Sequence, residues 1–280
     1  MKEIKLAFQG EKGAYSHIAC EEIFKGKEVK NCKTFEETFK TVFDDESYKA
    51  IIPIENSLAG RVADIHYLLP KFKLQIYGEH YQKIEHCLLC KDEAEFKDIK
   101  HVRSHAQAIG QCQEIIKKNN FKSIISADTA GSAKDLSESN DNTIAAIASE
   151  LAAKTYGLKI LKKNIEDEAG NVTRFLVMGK NVSQPRYDKN KKYITTCIFR
   201  LKSEASALYK SLGGFATNQI NLTKLESFSV KNSFEQVNFY LDLEGHIEQK
   251  TVQKSLEELG FHTESLDILG VYEASTFRQK

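Results

Sequence analysis

The chain has 280 residues, which is long enough for two domains. Hydrophobic residues make up 41% of it and charged residues 28%, as is typical of a globular protein. The formal net charge of +1 argues against a broad electrostatic partner such as DNA or an anionic membrane. A small anionic ligand stays compatible with this charge, because it needs only local positive charge.

The amino-terminal stretch MKEIKLAFQGEK alternates apolar and charged residues, so it lacks the continuous apolar segment of a secretory signal. No apolar run approaches the roughly 20 residues that cross a bilayer. We therefore predict a cytoplasmic protein whose six cysteines are reduced thiols. Cys87 and Cys90 form an isolated CxxC in a predicted strand, where residues three apart point to opposite faces. Core packing is thus favoured over metal binding.

The first 180 residues alternate predicted strands and helices. In chain order, the pattern predicts a strand at IKLAFQG, helices at AYSHIACEEIF and TFEETFKTVF, a strand at KAIIPIENS, a helix at RVADIHYLL, and strands at KLQIYGEH, KIEHCLLC, KHVRS and KSIISAD, with helices after the last two. Gly157 suits a helix C-cap. Such alternation predicts an α/β fold whose sheets are largely covered by helices.

A polar stretch around Pro185 interrupts this alternation, and we assign residues 183–192 as a linker. It separates a predicted first domain, residues 1–182, from a predicted second domain, residues 193–280. Within the second domain the pattern reads strand, helix, strand, strand, helix, strand. That order is the ferredoxin-like unit.

Polar segments of the first domain follow predicted strands, where open α/β sheets bind ligands. In FQGEKGAYS a strand runs into Gly10 and Gly13, and a helix begins. Glycines let the backbone approach a ligand and helix starts favour anions, although a tight turn explains the same residues. In PIENSLAGRV, Glu55, Asn56 and Ser57 follow a strand. Helix capping explains one of these three polar residues but not all of them.

A third segment, SHAQAIGQC, combines a helix start with two glutamines. Ser104 and Gln107 fit a capping box. Gln107 and Gln111 stand four apart and therefore share a helix face. His105 is either a proton carrier near neutral pH or an inert surface histidine.

The two remaining segments are ISADTAGSA and GNVTRFLVMG. In the first, Asp128 is the expected N-cap of a helix and Thr129 lies at its entrance. The second opens a buried strand with Asn171, Thr173 and Arg174. Arginine matches a carboxylate with two hydrogen bonds. Because Thr173 and Arg174 are adjacent on a strand, we expect one to face a cleft and the other to anchor a partner behind it.

Taken in order, FQGEKGAYS, PIENSLAG, SHAQAIGQC, DTAGSA and GNVTRF resemble the motifs of prephenate dehydratase. YKSLGGFATNQINLTKLES and FYLDLEGH resemble the ACT domain that follows the catalytic domain in that family. The resemblance runs from about residue 4 to residue 273, and we therefore expect this chain to lack the fused chorismate mutase domain of some relatives.

The resemblance implies a catalytic domain of two α/β subdomains, like a periplasmic binding protein, with a cleft between them and crossovers near residues 78 and 158. It also implies a homodimer or homotetramer, and no metal or organic cofactor. The family uses the threonine of its TRF motif as an essential residue, here Thr173, with Arg174 and Phe175 beside it. The implied substrate-binding residues are Gly13, Ala14, Glu55, Asn56, Ser57, Ser104, Gln107, Gln111 and Thr129.

The sequence also departs from the family pattern. Ala106 replaces the usual proline after the histidine of the third motif, and Ser206 stands at the glycine of the family's G-A-L-V or G-A-L-Y segment. Phe228 and Ser229 stand at the last two places of E-S-R-P. Those segments bind phenylalanine in relatives, so L-phenylalanine is the implied effector. The implied allosteric residues are Ser206, Ala207, Leu208, Asn221, Leu222, Glu226 and Ser227.

The implied reaction is the decarboxylating dehydration of prephenate to phenylpyruvate. Hydroxide is a poor leaving group, so we expect Thr173 to donate a hydrogen bond or relay a proton to it, with Glu55 or His105 as the candidate acid behind it. Arg174 is expected either to bind the side-chain carboxylate or to brace the site from behind. Arogenate dehydratase and a non-catalytic amino-acid sensor are the alternatives.

Overall fold

The computed structural model describes residues 3–62, 65–229 and 236–279. Within these ranges the strands are β1 (Lys5–Gln9), β2 (Val29–Cys32), β3 (Tyr48–Asn56), β4 (Gly60–Arg61), β5 (Gln75–Lys83), β6 (Cys87–Cys90), β7 (His101–His105), β8 (Lys122–Ser126), β9 (Ile144–Ala148), β10 (Lys159–Lys162), β11 (Val172–Gly179), β12 (Tyr193–Leu201), β13 (Leu222–Ser229), β14 (Val237–Glu244) and β15 (Thr263–Glu273). The helices are α1 (Tyr15–Ile23), α2 (Phe35–Asp44), α3 (Ile65–Phe72), α4 (Ala106–Gly110), α5 (Gln113–Lys118), α6 (Thr129–Glu138), α7 (Glu150–Tyr156), α8 (Ala207–Thr217) and α9 (Lys250–Phe261). No helix in the described ranges is long and apolar enough to cross a membrane.

The chain divides into two compact units. The first contains Met1–Thr41, Ala50–Val62 and His80–Phe175, and the second contains Val42–Lys49, Ala63–Glu79 and Leu176–Lys280.

The strands of the first unit belong to two mixed sheets. One has the strand order β2-β1-β3-β11-β5, with β4 paired to β3, and the other has the order β10-β6-β9-β7-β8. Strand β7 pairs in parallel with β8 and β9, whereas β6 pairs antiparallel with β9 and β10. The predicted α/β class is therefore confirmed, with strands and helices alternating along most of this unit.

Strand β6 illustrates how the second sheet is covered on both faces. Leu88 and Cys90 belong to one apolar cluster, and Cys87 and Leu89 belong to the cluster on the other face. The prediction that Cys87 and Cys90 pack on opposite faces is confirmed. All six cysteines are buried free thiols.

The second unit contains a four-stranded antiparallel sheet with the order β13-β14-β12-β15. Along the chain these strands and the helices α8 and α9 follow the predicted order of strand, helix, strand, strand, helix, strand. The core of this region joins apolar residues of β12 and β14 to Phe215 of α8 and to Val252 and Leu259 of α9.

One local prediction about a helix start was wrong. The helix expected at RVADIHYLL does not include Arg61, because Gly60 and Arg61 form β4 and pair with Asn56 and Glu55; the described helix is Ile65–Phe72. Asn56 stabilises the intervening turn, in which its side-chain oxygen accepts hydrogen bonds from two backbone N–H groups. The expected C-cap at Gly157 is confirmed, with a left-handed φ of 63°.

Gly13 has a role in packing that its neighbours define. Its φ is +88°, and a Cβ atom built on it would lie 2.6 Å from the Cα atom of Ala152 on α7. The carbonyl of Gly13 also accepts a hydrogen bond from the Ser149 hydroxyl. Gly13 therefore allows the loop before α1 to approach the start of α7 closely.

We expect Gly13→Ala to lower the free energy of unfolding by about 2–4 kcal/mol, because the methyl group clashes with backbone as well as straining φ. Gly26→Ala is the matched control: φ there is +72°, but nothing lies within 4 Å of the added Cβ. It should cost only about 1 kcal/mol. Urea unfolding of both variants measures the difference, and equal losses would contradict the proposed contact with Ala152.

Candidate functional site

A cavity of about 360 Å³ in the first unit collects polar side chains from the ends of several strands. Among the residues expected at the substrate, it is lined by Ala14, Asn56, Gln107, Gln111, Thr129, Thr173 and Phe175. Segments that are far apart in sequence thus meet around one space. The cavity also has residues that were not expected there, namely Tyr15, His86 and Asp128.

Other expected site residues lie behind the cavity wall. Ser104 is fully buried on β7, where its hydroxyl donates to the carbonyl of Ile147 at 2.6 Å. The predicted capping box of Ser104 and Gln107 is therefore wrong: His105 is the N-cap of α4, and its ring accepts from the backbone N–H of Gln107. The strand continues one residue further than expected, which turns Ser104 into the sheet.

Ser57 and Gly13 also make hydrogen bonds that join backbone segments and do not face the cavity. The Ser57 hydroxyl accepts a hydrogen bond from the N–H of Val172 at 3.0 Å, and the Ser57 N–H donates to the carbonyl of the same residue at 2.8 Å. Ser57 thereby joins the end of β3 to the start of β11. Neither Ser57 nor Gly13 is among the residues that line the cavity.

Side chains at the start of β11 point alternately to its two faces. Asn171, Thr173 and Phe175 alternate along the strand and all line the cavity. Arg174 does not line it and is only 2% exposed. Its guanidinium lies 2.9 Å from a carboxylate oxygen of Glu55. Arg174 and Glu55 therefore sit behind the cavity as an ion pair, which leaves Glu55 poorly placed as an acid for Thr173.

The amide of Asn56 fixes the direction of the hydrogen bonds at Thr173. Its oxygen accepts from the N–H groups of Leu58 and Ala59, at 3.0 and 2.8 Å, so its nitrogen must point the other way. That nitrogen donates to Thr173 Oγ1 at 2.9 Å and to Asn171 Oδ1 at 2.7 Å. Because Thr173 accepts from Asn56, its own hydroxyl proton is available to a group in the cavity.

The hydrogen bonds continue from Asn171 to Gln111 and His86. Asn171 donates through its amide nitrogen to Gln111 Oε1 at 2.8 Å, and His86 Nε2 lies 3.1 Å from the same oxygen. An amide oxygen only accepts, so His86 carries a proton on Nε2. The nitrogen of the Gln111 amide makes no hydrogen bond with the described residues and adds a second donor at the cavity.

His86 is neutral in this arrangement. Burial lowers the pKa of its imidazole, and this effect exceeds the opposing contributions of Gln111 and Glu166. With Nε2 protonated, Nδ1 is an acceptor, and the Tyr15 hydroxyl lies 2.9 Å from it. Burial raises the pKa of Tyr15 well above its ordinary value, so the phenol keeps its proton. That proton is shared with the carbonyl of Glu85, 2.8 Å from the hydroxyl.

Fixed positive charge is missing from the described lining of the cavity, which contains no lysine and no arginine. Anion binding there would rely on uncharged donors. The start of α1 supplies some, because Ala14 at its N-cap provides no side-chain hydrogen bond to the first turn. Tyr15 and Ser16 of that turn line the cavity.

Sequence reasoning missed His86 and Tyr15 because neither has a local polar signal. Tyr15 was assigned to the apolar stripe of its helix, and His86 to a buried strand. His86 is buried and Tyr15 is half-buried, and their polar atoms meet across 71 positions of sequence. Asn171 stood out from the start, because an amide directly before a buried strand is unusual.

The residues expected to bind an effector lie in the second unit. Ser206, Ala207 and Leu208 line a separate cavity of about 720 Å³ together with Arg200 and Lys202. Ser206 adopts a left-handed conformation, with φ 63°, that suits the glycine of the family pattern. Asn221, Leu222, Glu226 and Ser227 are not among the residues that line this cavity.

Glu226 is instead held by an ion pair. Lys224 Nζ lies 2.7 Å from one of its oxygens and His66 Nε2 lies 3.1 Å from the other. Burial opposes ionisation of Glu226, but His66 and Lys224 together outweigh it and lower its pKa to about 2. Phe228, at the place of the family's arginine, packs against the rings of His66 and Tyr67.

The comparisons with known proteins converge on one family. A family model described as prephenate dehydratase matches residues 6–183. The chain is 41% identical over 276 residues to a bifunctional N-acyl-homoserine lactone acylase/prephenate dehydratase of Komagataeibacter europaeus, with 98% of each chain covered. It is 36% identical to arogenate dehydratase/prephenate dehydratase 2 of Arabidopsis thaliana, covering 98% of this chain and 74% of that protein.

Solved structures agree with these matches. GqqA, described as a novel type of quorum-quenching acylase, has a TM-score of 0.91 at 41% identity, with 98% of this chain and 99% of that chain covered. Prephenate dehydratase from Arthrobacter aurescens, in complex with L-Phe, has a TM-score of 0.88 at 26% identity, with 97% and 90% covered.

Burial of neutral His86 predicts a stability that depends on pH. The unfolded chain binds a proton at the ordinary histidine pKa of about 6.5, whereas the folded chain binds it only at lower pH. The free energy of unfolding should therefore fall as the pH drops below about 6.5. His86→Gln should lessen this fall, as measured by urea unfolding between about pH 7.5 and pH 5. His101→Gln, at a partly exposed histidine outside the cavity, is the control; identical pH profiles for wild type and His86→Gln would contradict the assignment.

Proposed function

The chain belongs to the prephenate dehydratase family and is a hydro-lyase of L-phenylalanine biosynthesis, and we propose that the cavity around Thr173 is where it converts prephenate into phenylpyruvate. One observation carries this proposal: Thr173 accepts a hydrogen bond from Asn56, so its hydroxyl proton points to another acceptor. The leaving hydroxyl of prephenate is such an acceptor.

The chemistry requires two bonds to break. The bond from the ring to its carboxylate breaks and releases carbon dioxide, and its electron pair moves into the ring. The ring carbon–oxygen bond breaks as the ring becomes aromatic, and the departing hydroxide takes up a proton to become water. Aromatisation drives the reaction, so the protein mainly needs to orient the substrate and to supply a donor at the leaving oxygen.

Thr173 acts here as a hydrogen-bond donor to the leaving oxygen, and the proton that turns hydroxide into water comes from the solvent, because the Asn56 amide behind Thr173 is not an acid. A threonine hydroxyl is a poor acid, but a correctly aimed donor stabilises charge as it develops on the leaving oxygen. Asn56 keeps the donor aimed, since its own amide cannot rotate without losing the contacts with Leu58 and Ala59. Asn171 accepts a hydrogen bond from Asn56 on its other side, and Asn171 and His86 both donate to the side-chain oxygen of Gln111.

The lack of lysine and arginine in the described cavity lining suits a decarboxylation. A strong ion pair at the ring carboxylate would stabilise the charge that the reaction must disperse. We therefore assign Arg174 the bracing role, with Glu55 as its partner. The side-chain carboxylate of the substrate is assigned to the uncapped first turn of α1 and to the amide of Gln111.

The family assignment does not favour a non-catalytic sensor or a dedicated arogenate dehydratase. A second candidate activity nevertheless deserves a direct assay, because the relative that is 41% identical over 98% of both chains is also named an N-acyl-homoserine lactone acylase. That activity would add water across an amide bond. Release of homoserine lactone from an N-acyl-homoserine lactone is the measurement; no release by enzyme that turns over prephenate would limit the chain to dehydration.

Regulation forms part of the same proposal. We assign residues 1–182 as a catalytic domain of the periplasmic-binding-protein type, 183–192 as a linker and 193–280 as an ACT domain. The order of strands and helices after residue 193 and the sheet order β13-β14-β12-β15 support the last assignment. L-phenylalanine is the proposed effector, because a relative was solved in complex with it. A homodimer or homotetramer in the cytoplasm completes the proposal.

Variants of Thr173 and Asn56 test the mechanism. Thr173→Val keeps the shape but removes the donor, so kcat for prephenate should fall about 10²–10³-fold with little change in KM. Thr173→Ser should retain activity to within about tenfold, since the hydroxyl remains. Retained turnover in the valine variant would end the proposed role of Thr173.

The direction of the hydrogen bond is tested separately. Asn56→Asp can only accept, so the Thr173 proton should turn towards it and be lost to the leaving oxygen. Asn56→Ala loses the aiming contact but does not capture that proton. The aspartate variant should therefore be slower than the alanine variant in kcat, and the reverse order would contradict the assigned direction. The same assays with and without L-phenylalanine measure the effector response.

A further inference from the structure

Among the described residues that line the cavity, Asp128 is the only one with a carboxylate. It lies between β8 and α6, where one of its oxygens accepts a hydrogen bond from the N–H of Gly131 as the N-cap of α6. Its second carboxylate oxygen has no hydrogen-bond donor among the described residues. With no lysine or arginine in the lining and His86 neutral, this carboxylate has no fixed positive charge to balance it there.

Capping of α6 accounts for a polar residue at this position and the helix dipole stabilises its charge, but the charge also reaches the cavity. Asparagine and serine cap a helix about as well as aspartate does, and they bring no net charge. A dianionic keto acid such as prephenate gains nothing from a carboxylate in its own cavity, because like charges repel. A substrate with an ammonium group gains a charge-assisted hydrogen bond there.

The neighbourhood of Asp128 matches the two groups of an α-amino acid. Ala14, at the uncapped start of α1, packs in the same apolar cluster as Ala130 in the first turn of α6. Both helix starts contribute to the lining of the cavity, Ala14 and Tyr15 from α1 and Asp128 and Thr129 from α6. The start of α1 offers unpaired backbone N–H groups to a carboxylate of the ligand. The start of α6 offers the carboxylate of Asp128 to an ammonium group.

We propose that Asp128 is a specificity-determining residue that lets the cavity accept the α-amino form of the substrate, arogenate, in addition to the α-keto form, prephenate. This inference rests on the proposed function of the cavity, whose chemistry at the ring is the same for both compounds. The two compounds differ only at the side-chain carbon that carries either an ammonium group or a carbonyl oxygen.

The test compares kcat/KM for arogenate and prephenate in wild type and Asp128→Asn. Asparagine keeps the helix cap, so α6 should stay folded while the charge is lost. We expect kcat/KM to fall about tenfold or more for arogenate and to rise about threefold for prephenate, since a charge-assisted hydrogen bond is lost and a repulsion is removed. An unchanged ratio of the two values would overturn the inference.

Glu138→Gln is the matched control, because it removes one negative charge from an exposed position of the same helix. It should leave the ratio unchanged, and a shift equal to that of Asp128→Asn would indicate a general charge effect and overturn the inference. Asp128→Ser, which also caps, repeats the test if the asparagine variant is unstable.

Measurements of ligand binding distinguish a failure of the Asp128 inference from a failure of the proposed function. If wild type turns over neither compound, the proposed function fails. Calorimetry on Thr173→Val then still compares the two Kd values, and adding Asp128→Asn should weaken arogenate binding about tenfold without weakening prephenate binding. Equal losses for both compounds, or no binding of arogenate, would overturn the assignment of Asp128.

Discussion

The amide of Asn56 is held at its oxygen by two backbone N–H groups of the turn that follows β3. This contact can be made in only one orientation, so it sets the direction of every hydrogen bond beyond it. Asn56 donates to Thr173 and Asn171, Asn171 donates to Gln111, and the tautomer of His86 follows. A turn of a few residues therefore determines which atoms of the cavity are donors.

The arrangement explains how a cavity can serve anions without cations. Neutral donors in fixed positions stabilise negative charge while leaving it free to move during the reaction, whereas an arginine would hold it in place. The arginine that the motif supplies is turned behind the strand, where Glu55 partners it. The buried ion pair joins β11 to β3 behind the cavity, and the face of β11 towards the cavity carries Asn171, Thr173 and Phe175.

Sequence patterns predicted most elements and the convergence of several motifs, because polar residues after buried strands stand out against an apolar background. They failed where the decisive partner was distant in sequence. Ser104 looked like a helix cap, yet the strand extends past it, and its hydroxyl donates a hydrogen bond to a backbone carbonyl of β9. Arg61 looked like the start of a helix, yet after the Asn56 turn it pairs with β3 as part of β4.

Residue identity by itself determined the class of fold, the order of elements in both halves and the family, since these depend on periodicity and on motifs read along one chain. The tertiary structure decided which neighbour in a motif serves the cavity. Thr173 and Arg174 are adjacent, and alternation on a strand says only that they point to opposite sides. Packing chose between them: the face of β11 that carries Thr173 meets Asn56 and the cavity, and the other face meets Glu55.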